Sequence, residues 1–252
     1  ALLPEWAAIL KDRDSRHPGN PRSRTNTWRD PIRWNKSAAR AGRRDRVFCA
    51  SLGDWLDSDG VKIEWLGDLL SLIDETPNLD WLLLTKRPKA WRSRLEAIQP
   101  GMVGFEVAQD WLGGNPPSNA WVGTSVEDQG WADKRIPALL RIPAAIHFLS
   151  CEPLLGPVDL EEWIDELDWV IVGGEAASPV MNARPLHPTW VRDLRDQCLR
   201  ARGGHRVQRD MRVSAGVAFH FKQWGTWSPD GPRGKGSAKG AQVRAVHDQV
   251  TL

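Results

Sequence analysis

The chain has 252 residues, with 34 Lys and Arg against 32 Asp and Glu and 41% hydrophobic residues, enough for one α/β barrel or two small domains with a real core. With these values disorder is not the default reading, and no apolar run is long enough to cross a bilayer. Ala1 to Leu10 lacks the basic region and small-residue cleavage site of a secretory signal, so a cytoplasmic location is expected.

The net charge of +2 hides an asymmetry. Residues 1–46 carry a balance of +7 and residues 200–252 another +7, so residues 47–199 carry −12. Basic ends of this kind meet a polyanion or form solvated faces. Cys49, Cys151 and Cys198 are few and widely spaced, which fits reduced thiols rather than a disulfide framework. No two of them form a close ligand pair, and no metal site is assigned to this chain.

Residues 10–46 read as irregular, rich in Arg, Gly, Pro and Ser, so 1–46 is expected to be a basic irregular segment. Residues 47–227 are expected to form an α/β domain and 228–252 a basic tail. Val47 to Leu52 reads as the first strand, and Glu64 to Ile73 as a helix on the spacing of Trp65, Leu66, Leu69, Leu70 and Ile73. Trp81 to Thr85 is a nearly all-apolar strand, as a strand covered on both faces should be. Lys89 to Ile98 follows as a helix, and Gly113 to Pro117 as a loop.

Ala120 to Ser125 is the third strand, and Asp128 to Leu140 a helix that Pro137 should bend or end. Ala145 to Ser150, Trp169 to Val172 and Ala218 to Phe221 complete six strands. The clearest late helix is Pro188 to Arg200, opened by His187 or Pro188 and closed by Gly203-Gly204, with Trp190, Val191, Leu194 and Cys198 on one face. The basic stretch 206–214 fits no element. The alternation of strands and helices predicts a parallel sheet.

In parallel α/β folds the residues that act on ligands project from the loops after the strands. Each of the six strands here runs into a polar group: Asp54, Lys86-Arg87, Glu127, Glu152, Gly173-Gly174-Glu175 and Lys222-Gln223. Glu127, Glu152 and Lys86 are the candidate catalytic residues. Clustered carboxylates separate their pKa values or share a cation, and basic groups beside them can instead neutralise them. Gly173, Gly174, Glu175, Asp54 and Lys222 are candidates for holding a cofactor, the glycines by admitting a ligand close to the backbone or by simply turning the chain. Arg184 or Lys222 is an alternative, purely structural partner for Glu175. Cys151 reads as a buried thiol at a strand end, and His147 as a core residue.

The segments RVFCASLGDWLD (46–57), LDWLLLTKRP (79–88), WVGTSVEDQGWADKRIPALLRIPA (121–144), FLSCEPLLGPVDL (148–160), LDWVIVGGE (167–175) and FKQWGTW (221–227) resemble an uncharacterised phage and prophage family. That family is the gene-product-thirty-seven/sixty-eight family, also described by a three-cysteine motif. The resemblance implies an incomplete parallel βα barrel of the radical-SAM type, in which an early loop supplies three cysteines to a [4Fe-4S] cluster that cleaves S-adenosylmethionine.

The sequence departs from that pattern. It opens at Ala1, about where the family's first strand and cysteine loop would have ended, and Cys49, Cys151 and Cys198 do not match the motif. The expectation is a radical-SAM-like enzyme or a truncated remnant of one, with S-adenosylmethionine and substrate held at the strand ends and no cluster in this chain. The first strand should be absent, leaving an edge beside Val47 to Leu52. Two alternatives remain open: a divalent-metal-dependent hydrolase or transferase using the acidic strand ends, and a nucleic-acid-associated binding protein using the basic ends.

Overall fold

A computed structural model describes residues 26–49, 53–177, 182–202, 216–229 and 231–232. The chain is α/β. Its six strands are β1 (Asp45–Cys49), β2 (Leu79–Thr85), β3 (Ala120–Ser125), β4 (Ile146–Cys151), β5 (Trp169–Gly173) and β6 (Ala218–Gln223). They are parallel and ordered β1-β2-β3-β4-β5-β6, with β1 and β6 each having a single neighbour among the described residues. Consecutive strands are neighbours throughout, as in a βα barrel, with no point at which the order reverses as it does in a doubly wound sheet. Two compact units divide the chain, the first Ala1–Gly123 with Arg141–Ala145, the second Thr124–Leu140 with Ile146–Leu252.

In the first unit, β1 pairs with β2 from Asp45↔Leu79 to Cys49↔Leu83. The preceding residues depart from the expected irregular segment, because α1 (Asp30–Arg40) is helical. Its composition is basic, but Pro31 opens it, and Pro31 and Ala38 are buried. The helix α2 (Ile63–Asp74) buries Leu66, Leu69, Leu70 and Ile73, the face that the spacing predicts. The helix expected over 89–98 is shorter, a 3-10 turn at Pro88–Ala90 leading into α3 (Trp91–Glu96). A helix with no counterpart in the sequence reading, α4 (Phe105–Leu112), brings Trp111 into the core. Trp111 stacks on Trp55 at 5.9 Å and meets Trp91 edge-on at 6.1 Å. Three large aromatic rings thus close the unit beside the loop that follows β1.

In the second unit, every residue of β4 is buried, as expected for a parallel strand covered on both faces. The helix α5 (Gln129–Leu139) starts where the Asp128 side chain accepts the Trp131 N–H at 3.0 Å, and Pro137 lies within its last turn without ending it. The helix α6 (Pro188–Arg200) has the predicted bounds and buries Val191, Leu194 and Cys198. Its predicted terminator, Gly203-Gly204, lies outside the described residues, as do the basic stretch 206–214 and most of both charged ends. No described helix is long and apolar enough to cross a membrane.

Strand β6 pairs with β5 in regular register up to Val172↔Phe221, but Gly173 pairs with Gln223. Lys222 is therefore an extra residue, a bulge of a kind uncommon between parallel strands, where it re-aims side chains at the end of a sheet.

Candidate functional site at the strand ends

In the first unit, Asp54 is the organising group. Its Oδ1 accepts from the Leu56 N–H at 3.0 Å and the Thr85 hydroxyl at 2.7 Å. Its Oδ2 accepts from the Lys86 N–H at 2.8 Å and from Arg87 Nη1 at 3.0 Å. Four donors fill the carboxylate, which ties the loop after β1 to the end of β2. Arg87 also reaches Asp57 at 3.4 Å. The carboxylates that Arg87 holds are thus the chain's own. Asp54 and Lys86 meet through the Lys86 backbone N–H.

In the second unit, the three predicted glutamates each have a basic partner of their own. Glu127, 8% exposed, takes Arg135 Nη1 at 2.7 Å, and the same nitrogen donates to the Ser125 carbonyl at 2.9 Å. The Arg135 guanidinium lies 3.9 Å over the Trp131 ring. Glu175 takes Arg184 through both oxygens, from Nη2 at 2.7 Å and Nε at 2.9 Å, and also accepts the Arg184 backbone N–H at 2.8 Å. Glu152 takes Lys222 Nζ at 2.9 Å on one oxygen and the Gln223 carboxamide at 3.3 Å on the other.

Glu152, Gly173 and Lys222 therefore meet at the ends of β4, β5 and β6. A Cβ on Gly173 would lie 3.1 Å from Glu152 Cγ, Cδ and Oε1, so the glycine's open side holds that carboxylate. A Cβ on Gly174 would lie 2.0 Å from the Trp224 carbonyl oxygen, and one on Gly225, whose φ is 78°, would lie 2.2 Å from the Glu175 carbonyl oxygen. The space beside Gly173-Gly174 is filled by the chain itself. Backbone bonds from Gly174 N–H to Gln223 at 2.8 Å and from Thr226 N–H to Glu175 at 2.9 Å continue the strand pairing into this turn.

Arg184 holds the Glu175 carboxyl well below its ordinary 4.5, at about 2, through the side-chain and backbone hydrogen bonds it donates. Because the folded value is depressed, the pair's contribution to stability is complete above about pH 4.5 and is lost as pH falls toward 2. Arg184→Ala is accordingly expected to make the acid side of the stability profile shallower. Urea denaturation at a series of pH values across that window checks this, and an unchanged acid slope would contradict the pairing.

The cysteines do not fit an iron–sulfur cluster. Cys49 ends β1 in the first unit, while Cys151 ends β4 and Cys198 lies on α6 in the second, and all three are fully buried. Burial pushes the Cys49 and Cys198 thiols up to about 12 and the Cys151 thiol higher still, whereas ligation needs thiolates. Among the described residues, no three His, Cys, Asp or Glu side chains come together as a metal site.

Arg135, Gln223 and Thr85 had no assigned role in the sequence reading. Arg135 stands two helical turns beyond Glu127, a spacing that offers a signal only once the loop at 126–128 is known to turn back.

Fold and strand ends together define an α/β protein with charged residues after its parallel strands. The chain belongs to the family described as "Protein of unknown function (DUF5131)", which matches residues 8–250. No curated protein and no solved structure matches it.

Proposed function

We propose that this protein is a radical-SAM-like strand-end binding protein, a phage or mobile-element enzyme or a cluster-free remnant of one. In this reading Glu152, Lys222 and Gln223 receive the amino-acid end of S-adenosylmethionine. The observation that carries the reading is the meeting of three successive strand ends at one ion pair. Glu152 is 20% exposed and Lys222 50% exposed at the side chain, so ligand groups can reach both. An α-ammonium complements the Glu152 carboxylate, while a ligand carboxylate complements the Lys222 ammonium and the Gln223 amide, each through charge-assisted hydrogen bonds. The consecutive strand order and the polar residue after each strand support the same reading. The reading concerns binding, and no cleavage step is assigned to this chain.

Calorimetric titration with S-adenosylmethionine tests it. Glu152→Gln keeps the shape and removes the charge, and is expected to weaken binding by about tenfold or more, the value of one hydrogen bond to a charged group. Absence of binding by the wild-type chain at millimolar ligand, or equal affinity of the variant, overturns the proposal.

A further inference from the structure

We propose that Gly173 is a positioning residue for Glu152. Its missing Cβ and the Lys222 bulge opposite it together set a carboxylate, an ammonium and a carboxamide in one fixed constellation. Two features of β5 and β6 carry this. A methyl group at 173 would stand 3.1 Å from three atoms of the Glu152 side chain, inside the 3.5–4.0 Å at which carbon atoms sit comfortably. With any residue larger than glycine at 173, the Glu152 side chain would have to give by a few tenths of an ångström. On the other side of the carboxylate, consecutive residues of a regular strand point to opposite faces, yet Lys222 and Gln223 both reach Glu152. The register shift between Val172 and Gly173 is what permits that.

Gly173 thus acts on the ion pair through Glu152, while the bulge delivers the partners of that carboxylate. The glycine touches no ligand in this scheme. It determines where the Glu152 charge sits, and hence the spacing between the charges that a zwitterionic ligand meets. The ligand arm of this inference rests on the S-adenosylmethionine reading, and the positioning arm does not.

Four proteins decide it: wild type, Gly173→Ala, Glu152→Ala and the double variant, each followed by thermal melting, by the rate of Lys222 acylation with a small anhydride, and by S-adenosylmethionine titration. With Glu152 present, Gly173→Ala should lower the melting temperature, speed Lys222 acylation to the rate seen in Glu152→Ala, and weaken S-adenosylmethionine by about tenfold. With Glu152 already replaced, the same change should alter none of these. A glycine needed only by the strand would give the same loss in both backgrounds and leave Lys222 acylation unmoved, which overturns the proposal. If Gly173→Ala fails to fold but the double variant folds, the proposal stands; if neither folds, it falls. A wild-type chain that binds no S-adenosylmethionine defeats the ligand reading alone, and the melting and acylation cycles still decide the role of Gly173.

Discussion

Gly225→Ala is expected to lower the unfolding free energy by about 3 kcal/mol, from the sum of a left-handed backbone and a collision with main chain. Gly225 has φ 78°, and its added Cβ would meet the Glu175 carbonyl oxygen at 2.2 Å and its carbonyl carbon at 2.7 Å. Neither atom is the mobile end of a side chain. Both belong to the backbone that receives the Thr226 N–H, so relief would require opening the turn after β6. Gly42 provides the control, since its φ is 61° and an added Cβ meets nothing within 4 Å. Gly42→Ala should lose only the conformational part, about 1–2 kcal/mol. Equal losses in the two variants, measured by chemical denaturation, would show that the backbone contact at Gly225 contributes nothing.

Arg135→Ala is expected to cost about 3–5 kcal/mol, because it removes the guanidinium from a buried carboxylate. Arg135 and Glu127 are each 8% exposed, and their contact is 2.7 Å. The variant also vacates the face of Trp131 and takes a donor from the Ser125 carbonyl at the end of β3. Removing both charges should be less damaging than the two single losses added together, since the double variant buries no uncompensated carboxylate. A double-mutant cycle by urea denaturation reads that coupling directly. Strict additivity would mean that the pair is a coincidence of packing.

The parts of the fold that were legible in the sequence are those whose signal is local. Ala120–Ser125 and Pro188–Arg200 have the predicted bounds because an apolar run or a one-sided helical stripe is cut off sharply by turn residues at its start. The helix at Asp30–Arg40 was hidden by its charge, since it is polar on average and buries only Pro31 and Ala38. At the strand ends, residue types were legible and partnerships were not. Glu152 and Lys222 are separated by seventy residues, and only strand order brings them together. Arg184 was one of two open partners for Glu175, and the bidentate geometry that selects it depends on how the chain returns ahead of α6.

The fate of Gly173-Gly174 was illegible for a related reason. A glycine pair announces close approach without naming what approaches, and here the approaching groups are a carboxylate from β4 and the main chain after β6.

The extra residue at 222 also has a meaning at the level of the gene. Because Val172 faces Phe221 and Gly173 faces Gln223, removing codon 222 in frame would leave both pairings as they are and make the ladder regular. The sheet would keep its register while the ammonium on Glu152 disappeared. A single codon therefore supplies the ammonium that meets Glu152, while Gln223 keeps its place opposite Gly173. The Lys222 ammonium and the register of the sheet are thus specified by separate codons.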